Sequence, residues 1–176
     1  MDINDTQQWQ RPLIDDRLTP YIEVDAERLE QNLQHMQRKA SAAGVALRPH
    51  IKTHKSVWIA QRQIASGAQG VTVSKPSEGI SFILGGVRDL LLAYPIVQPQ
   101  SVAELLRHAV LHQVKLTLIA DRLQGVAAIA DACQQQPECD LAVAIKVDVG
   151  LHRIGVNPDT DEAVLIAQAL QDKGLR

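Results

Sequence analysis

Apolar and polar positions along this chain alternate between two periods. Tyr21-Ile22-Glu23-Val24 alternates with period two and predicts a short strand. Asp25 can cap the helix that follows, where Leu29, Leu33, Met36 and Ala40 recur at helical spacing until Gly44 ends the run. Residues 46–52 again read as a strand. The rhythm then repeats, with a helix at Val57–Ala65, a strand at Gly70–Ser74, a helix at Glu78–Leu84 and a strand at Asp89–Tyr94. Ser101 and Glu104 have capping-box spacing, and Val102, Leu105, Leu106, Ala109 and Val110 share one helical face behind them. A strand at Lys115–Ala120, a helix at Gln124–Cys133, a long strand at Leu141–Val149 and a helix through Leu170, signalled by Asp159 and Glu162, complete the pattern. Strands alternating with helices predict βαβ units and a parallel sheet. A closed (β/α) barrel needs eight strands over roughly 250 residues. This chain has 176 residues and reads as an open sheet or the first part of a larger barrel, with no internal linker.

Two of these strands have charged faces. Alternation puts Arg48, His50, Lys52 and His54 on one side, with Leu47, Pro49, Ile51 and Thr53 on the other. Strands in α/β units are usually covered on both faces. A lysine desolvated beside an arginine and a histidine is expected to give up its proton easily, and a neutral lysine is a nucleophile toward carbonyl carbon. In the strand Leu141–Val149 the branched residues Leu141, Val143, Ile145, Val147 and Val149 share one face. Ala142, Ala144, Lys146 and Asp148 share the other, so small residues leave room below two charges. Those charges fall at the C-terminal end, where parallel α/β folds place their active sites. Gly150 breaks the strand, and the following turn sets Arg153 near the same rim. A Lys146–Asp148 ion pair without chemistry is the competing reading, since structural pairs also bury charge. His35, His108 and His112 fall in helices and read as surface or packing residues. His50 and His54 have the spacing of a helical metal pair, but Pro49 and the strand pattern oppose a helix there, and no metal ligand is assigned.

Composition narrows the classes. Hydrophobic residues make up 45% of the chain, which predicts a globular core. Lysine and arginine number 18 against 20 acidic residues, a balance that favours neither nucleic acid nor an anionic membrane as partner. Aromatic residues are only 3%, too few for base-stacking platforms. No apolar run approaches the ~20 residues of a membrane span. The acidic start Met1-Asp2-Ile3-Asn4-Asp5 does not read as a signal peptide. Cys133 and Cys139 match no zinc spacing and read as ordinary thiols of a cytoplasmic protein.

Three segments carry a resemblance. Thr19 to Asp25, Arg48-Pro49-His50-Ile51-Lys52-Thr53-His54-Lys55, and Val147-Asp148-Val149-Gly150-Leu151-His152-Arg153-Ile154-Gly155-Val156 resemble the D-threonine aldolase and eukaryotic-type D-serine dehydratase family. These are pyridoxal-phosphate lyases with an alanine-racemase-type barrel, acting on small D-amino acids with a β-hydroxyl. Residues 1–18 lack periodicity and read as a polar lead-in, and over 19–176 the resemblance implies about five of the eight β/α units of that TIM-like barrel. It implies that Lys52 holds pyridoxal phosphate through its amine. Lys146 and Arg153 have the spacing of a lysine and arginine that lie near the cofactor's phenolic oxygen in alanine racemases, and His50 belongs to the same motif as Lys52. It further implies a homodimer and a divalent metal, manganese or zinc, whose ligands lie in a C-terminal β-domain outside this chain. Loops that hold the cofactor phosphate are expected on later strands. Val73-Ser74-Lys75-Pro76 superficially resembles the lysine segment of small, non-catalytic pyridoxal-phosphate homeostasis proteins. Lys75, however, alternates outward and falls on a later strand. A non-catalytic cofactor carrier and an inactive fragment remain the alternatives to a lyase.

Overall fold

The computed structural model describes residues 20–175; the lead-in predicted for 1–18 lies outside them. The first helix, α1 (Ala26–Ala42), begins as its cap requires: Asp25 accepts the Arg28 N–H at 2.9 Å. It ends where Gly44 takes φ +67° and the Val45 N–H returns to the Ala40 carbonyl at 3.1 Å. That is the left-handed stop that glycine enters without strain. Tyr21–Val24, predicted as a strand, forms none. Ile22 is 93% exposed there, because alternation needs a ladder partner before it becomes a strand.

The basic run is a second correction. Only His50 joins the sheet, as an isolated parallel bridge to Thr72. Backbone hydrogen bonds support it on both sides, from Gln69 N–H to Leu47 O at 2.9 Å and from Thr72 N–H to Pro49 O at 2.8 Å. The chain then coils into a 3-10 turn, Ile51–Thr53, closed by the Lys55 N–H on Ile51 O at 2.8 Å. Pro49 cannot donate to a ladder, and the turn sends Ile51 fully into the core. Lys52 therefore does not continue a strand face begun by Arg48.

From there the predicted order holds: α2 (Val57–Ala65), β1 (Val71–Val73), α3 (Pro76–Leu84), β2 (Asp89–Leu92), α4 (Pro99–Leu111), β3 (Lys115–Ala120), α5 (Leu123–Gln135), β4 (Leu141–Ile145) and α6 (Glu162–Asp172). The four strands form one parallel sheet in the order β1-β2-β3-β4, so every connection is a helical crossover. Boundaries differ where proline or a partner strand intervenes. Pro76 and Pro99 open α3 and α4 ahead of the predicted starts, since their fixed φ suits a first turn whose N–H is unbonded anyway. Ser101 and Glu104 make no capping box: the Ser101 hydroxyl reaches Gln98 at 3.2 Å, and Glu104 pairs with Arg107 at 2.7 Å. At α6, Asp161 occupies the cap position, with no side-chain cap bond, in place of Asp159. The long strand to Val149 is trimmed to Ile145, and Val147 forms a separate bridge with Val156.

Strand alternation decides which residues meet the helices. A Cβ on Gly79 of α3 would stand 3.6 Å from both Leu90 and Val73, so that set of strand residues faces the helical layer. Val71, Val73, Leu90, Leu92, Leu116 and Leu118 are buried there with Ile83, Leu105, Leu106 and Ile129. A smaller cluster of Ala120, Val126, Val156, Ile166 and Leu170 seats α6. The opposite face carries a row set by register: His50, Thr72, Leu91, Thr117, Ala142. Leu91, Thr117 and Ala142 are only half-buried and Ala144 is exposed, so this face is not covered as the other is.

Candidate active site

The predicted site residues all lie at or beyond the C-terminal ends of the sheet-joining segments. Lys52 sits in the 3-10 turn with its side chain exposed, and among the described residues it makes no hydrogen bond or ion pair. Its backbone N–H donates to His50 Nδ1 at 3.3 Å. An accepting Nδ1 leaves the proton of the neutral ring on Nε2. Burial, and next the Lys52 charge, lower the His50 pKa; Glu78 and a backbone bond at Thr72 oppose them. His50 is thus held as a neutral imidazole beside an accessible amine.

Two parts of the expected basic face are absent. Arg48 turns away to Asp89, 2.7 Å from its carboxylate, with both side chains largely buried. Arg48 is thus committed to Asp89 while Lys52 is exposed, so the alternating basic face does not assemble. His54 bends back on its own turn, accepting the Ser56 N–H on Nδ1 at 3.1 Å, and burial lowers its pKa. An exposed Lys55, at φ 49°, reaches the buried Glu78 at 3.7 Å. Lys75 is exposed at the N-cap of α3.

At the other edge of the sheet, Lys146 follows β4 on the face of Ala142 and Ala144, as alternation predicts, and is half-buried. It does not pair with Asp148. That carboxylate instead accepts the N–H groups of Gly150 and His152, both at 3.0 Å, and the His152 ring at 3.1 Å. These N–H bonds, His152 first, hold its pKa down. Asp148 thereby folds residues 149–155 into a loop, which the Val147–Val156 bridge closes. Arg153 is exposed on this loop. The loop is tied down once more by Asp121, at the end of β3, which accepts the Gly155 N–H at 3.2 Å while paired with Arg122 at 2.9 Å. Burial opposes the Asp121 charge most strongly, yet the Arg122 and Gly155 bonds prevail and its pKa is lowered.

Glu78 and Asp121 are the site supports that pattern reading missed. Asp121 directly follows β3 and Glu78 lies in the first helical turn after β1, the points where rim residues fall, and that spacing is the available signal. Lys52 and Lys146 stand at the two edges of the sheet with β1, β2 and β3 between them. At ~4.8 Å per strand that is about 19 Å along the sheet. The cysteines stay free, and burial pushes the Cys139 thiol up to about 11.

Residues 24–176 match the family model described as alanine racemase, N-terminal domain. The D-threo-3-hydroxyaspartate dehydratase of Delftia sp. (strain HT23) is 38% identical over 162 residues, covering 90% of this chain and 41% of that protein. The D-threonine aldolase of Arthrobacter sp. is 35% identical, covering 89% of this chain and 40% of its own length. The crystal structure of D-threonine aldolase from Filomicrobium marinum superposes with a TM-score of 0.81 at 31% identity, over 90% of this chain and 42% of that one. The chain thus spans about two fifths of the curated relatives it matches. The parallel sheet, the helical crossovers and a match over nearly all described residues lead to one conclusion: this chain belongs to the alanine racemase N-terminal domain family.

Proposed function

We propose that this chain carries the N-terminal, cofactor-anchoring part of a pyridoxal-phosphate-dependent lyase for D-amino acids with a β-hydroxyl. One observation carries the reading: an exposed lysine amine without a hydrogen bond or ion pair, beside a neutral imidazole, at the C-terminal rim of a parallel sheet. The relatives named as a hydroxyaspartate dehydratase and a threonine aldolase supply the substrate class.

The residues present fit pyridoxal phosphate at its aldehyde end. Lys52 offers the amine, and the adjacent His50 is neutral, with its Nδ1 engaged by the Lys52 backbone N–H. The half-buried Lys146 and the exposed Arg153 would face the phenolic oxygen as cations. When bound, pyridoxal phosphate supplies an electron sink for breaking bonds at the substrate α-carbon. The rim residues orient the substrate, and the reaction ends either in an aldehyde plus glycine or in loss of the hydroxyl to a keto acid and ammonia. A divalent metal belongs to the proposal, with no ligand assigned among the residues of this chain. So do a cytoplasmic location and a homodimer; no helix among the described residues is long and apolar enough to cross a membrane.

The test is borohydride reduction after addition of pyridoxal phosphate, followed by peptide mass mapping. We expect label on Lys52, lost in Lys52→Ala. Preferential label on Lys75, or none at either, would remove Lys52 from its role.

A further inference from the structure

Glu78 is a buried carboxylate, 7% exposed, on the first turn of α3. One oxygen accepts the Ser74 N–H at 2.9 Å, an ordinary use of an acid at a helix N-terminus. Its other oxygen does something different. It lies 3.7 Å from the Lys55 ammonium, the last residue of the turn that carries Lys52. Lys55 has φ 49°, a left-handed conformation unfavourable for a lysine, and its N–H closes the turn on Ile51. At the other end of that turn His50 feels the Glu78 charge, which opposes the effects of burial and of Lys52. A carboxylate this buried is costly when its partner ammonium is exposed, and a neutral side chain would fill the space more cheaply.

We infer that Glu78 is a positioning residue whose carboxylate holds the Ile51–Lys55 turn closed, so that the Lys52 amine is presented at the rim beside His50. One group on the next β/α unit thus meets the last residue of the turn, and its charge reaches His50 at the start. The inference rests on the reading of Lys52 as the cofactor lysine.

Two variants of the 176-residue chain test it, Glu78→Gln and Lys55→Gln. Lys52 labelling by pyridoxal phosphate and borohydride is measured against Lys75 as an internal control, and the His50 ring is titrated by proton NMR. Lys52 labelling should fall about two- to fivefold relative to Lys75 in both variants, the scale of a part-exposed ion pair. The His50 titration should move to lower pH in Glu78→Gln, because a negative charge favouring the imidazolium is gone. A folded Glu78→Gln chain with the wild-type labelling ratio and the wild-type His50 titration overturns the inference. If Glu78→Gln does not fold, Lys55→Gln decides by its labelling ratio, since that side chain is 62% exposed. Wild-type protein unlabelled at Lys52 overturns the cofactor reading itself, and the His50 titration then still reports whether Glu78 acts on the turn.

Discussion

His50 and His54 lie near Lys52, and folding lowers the pKa of both from an ordinary value of 6.5, chiefly through burial. A base with a depressed pKa in the folded state binds fewer protons there than in the unfolded chain. Its stabilising contribution is therefore complete above pH 6.5 and is lost as pH falls through the folded value. Urea midpoints should accordingly drop between pH 7.5 and pH 5.5, and His54→Gln should flatten that slope. An unchanged slope would show that His54 is not the group responsible. Gly155 makes a second demand on a single residue. Its φ is +111°, and a Cβ there would stand 2.6 Å from the Asp148 nitrogen. Backbone cannot yield as a side-chain tip can, so Gly155→Ala should lower stability by about 2 kcal/mol or more, read from the urea midpoint.

Connections between elements pass through a few long-range polar contacts. Asp121 ties the end of β3 to the Arg153 loop across 34 residues of sequence, with its side chain 2% exposed. Asp121→Asn removes the charge that the Gly155 N–H and Arg122 both use. It should cost about 1–3 kcal/mol and speed amide exchange at Gly155 more than within β3. The Arg48–Asp89 contact spans 41 residues and joins the His50 segment to β2 over the first residue of the β1 approach, Gly70. A Cβ at Gly70 would clash with the Asp89 carbonyl and the Arg48 guanidinium, so the close crossing itself requires glycine. Arg48→Ala leaves a largely buried carboxylate unpaired and should destabilise by about 1–3 kcal/mol, with protection lost first at the Thr72 amide that bonds Pro49.

Across the molecule, one sheet face is sealed by helices while the other is half-open, and among the described residues β4 pairs only with β3. An unpaired strand edge invites pairing with another chain. Light scattering should show an apparent mass that rises with concentration, and Ala144→Lys, at an exposed position in β4, should suppress it; a constant mass would show the edge to be inert. The order of strands and helices from residue 57 onward was legible in the chain. So were the α2 and β3 limits and the Asp25 cap, because each unit advertises its own buried face at a local period of two or 3.6. What tertiary structure decided depends on partners distant in sequence. It turned the basic strand into one bridge and a 3-10 turn, left Tyr21–Val24 unpaired, and cut β4 at Ile145. It also sent Arg48 to Asp89 and Asp148 to its own loop, leaving Lys52 free at the rim with Glu78 behind its turn. Periodicity tells a segment which face to bury, whereas a ladder or an ion pair exists only once a second segment has arrived beside it.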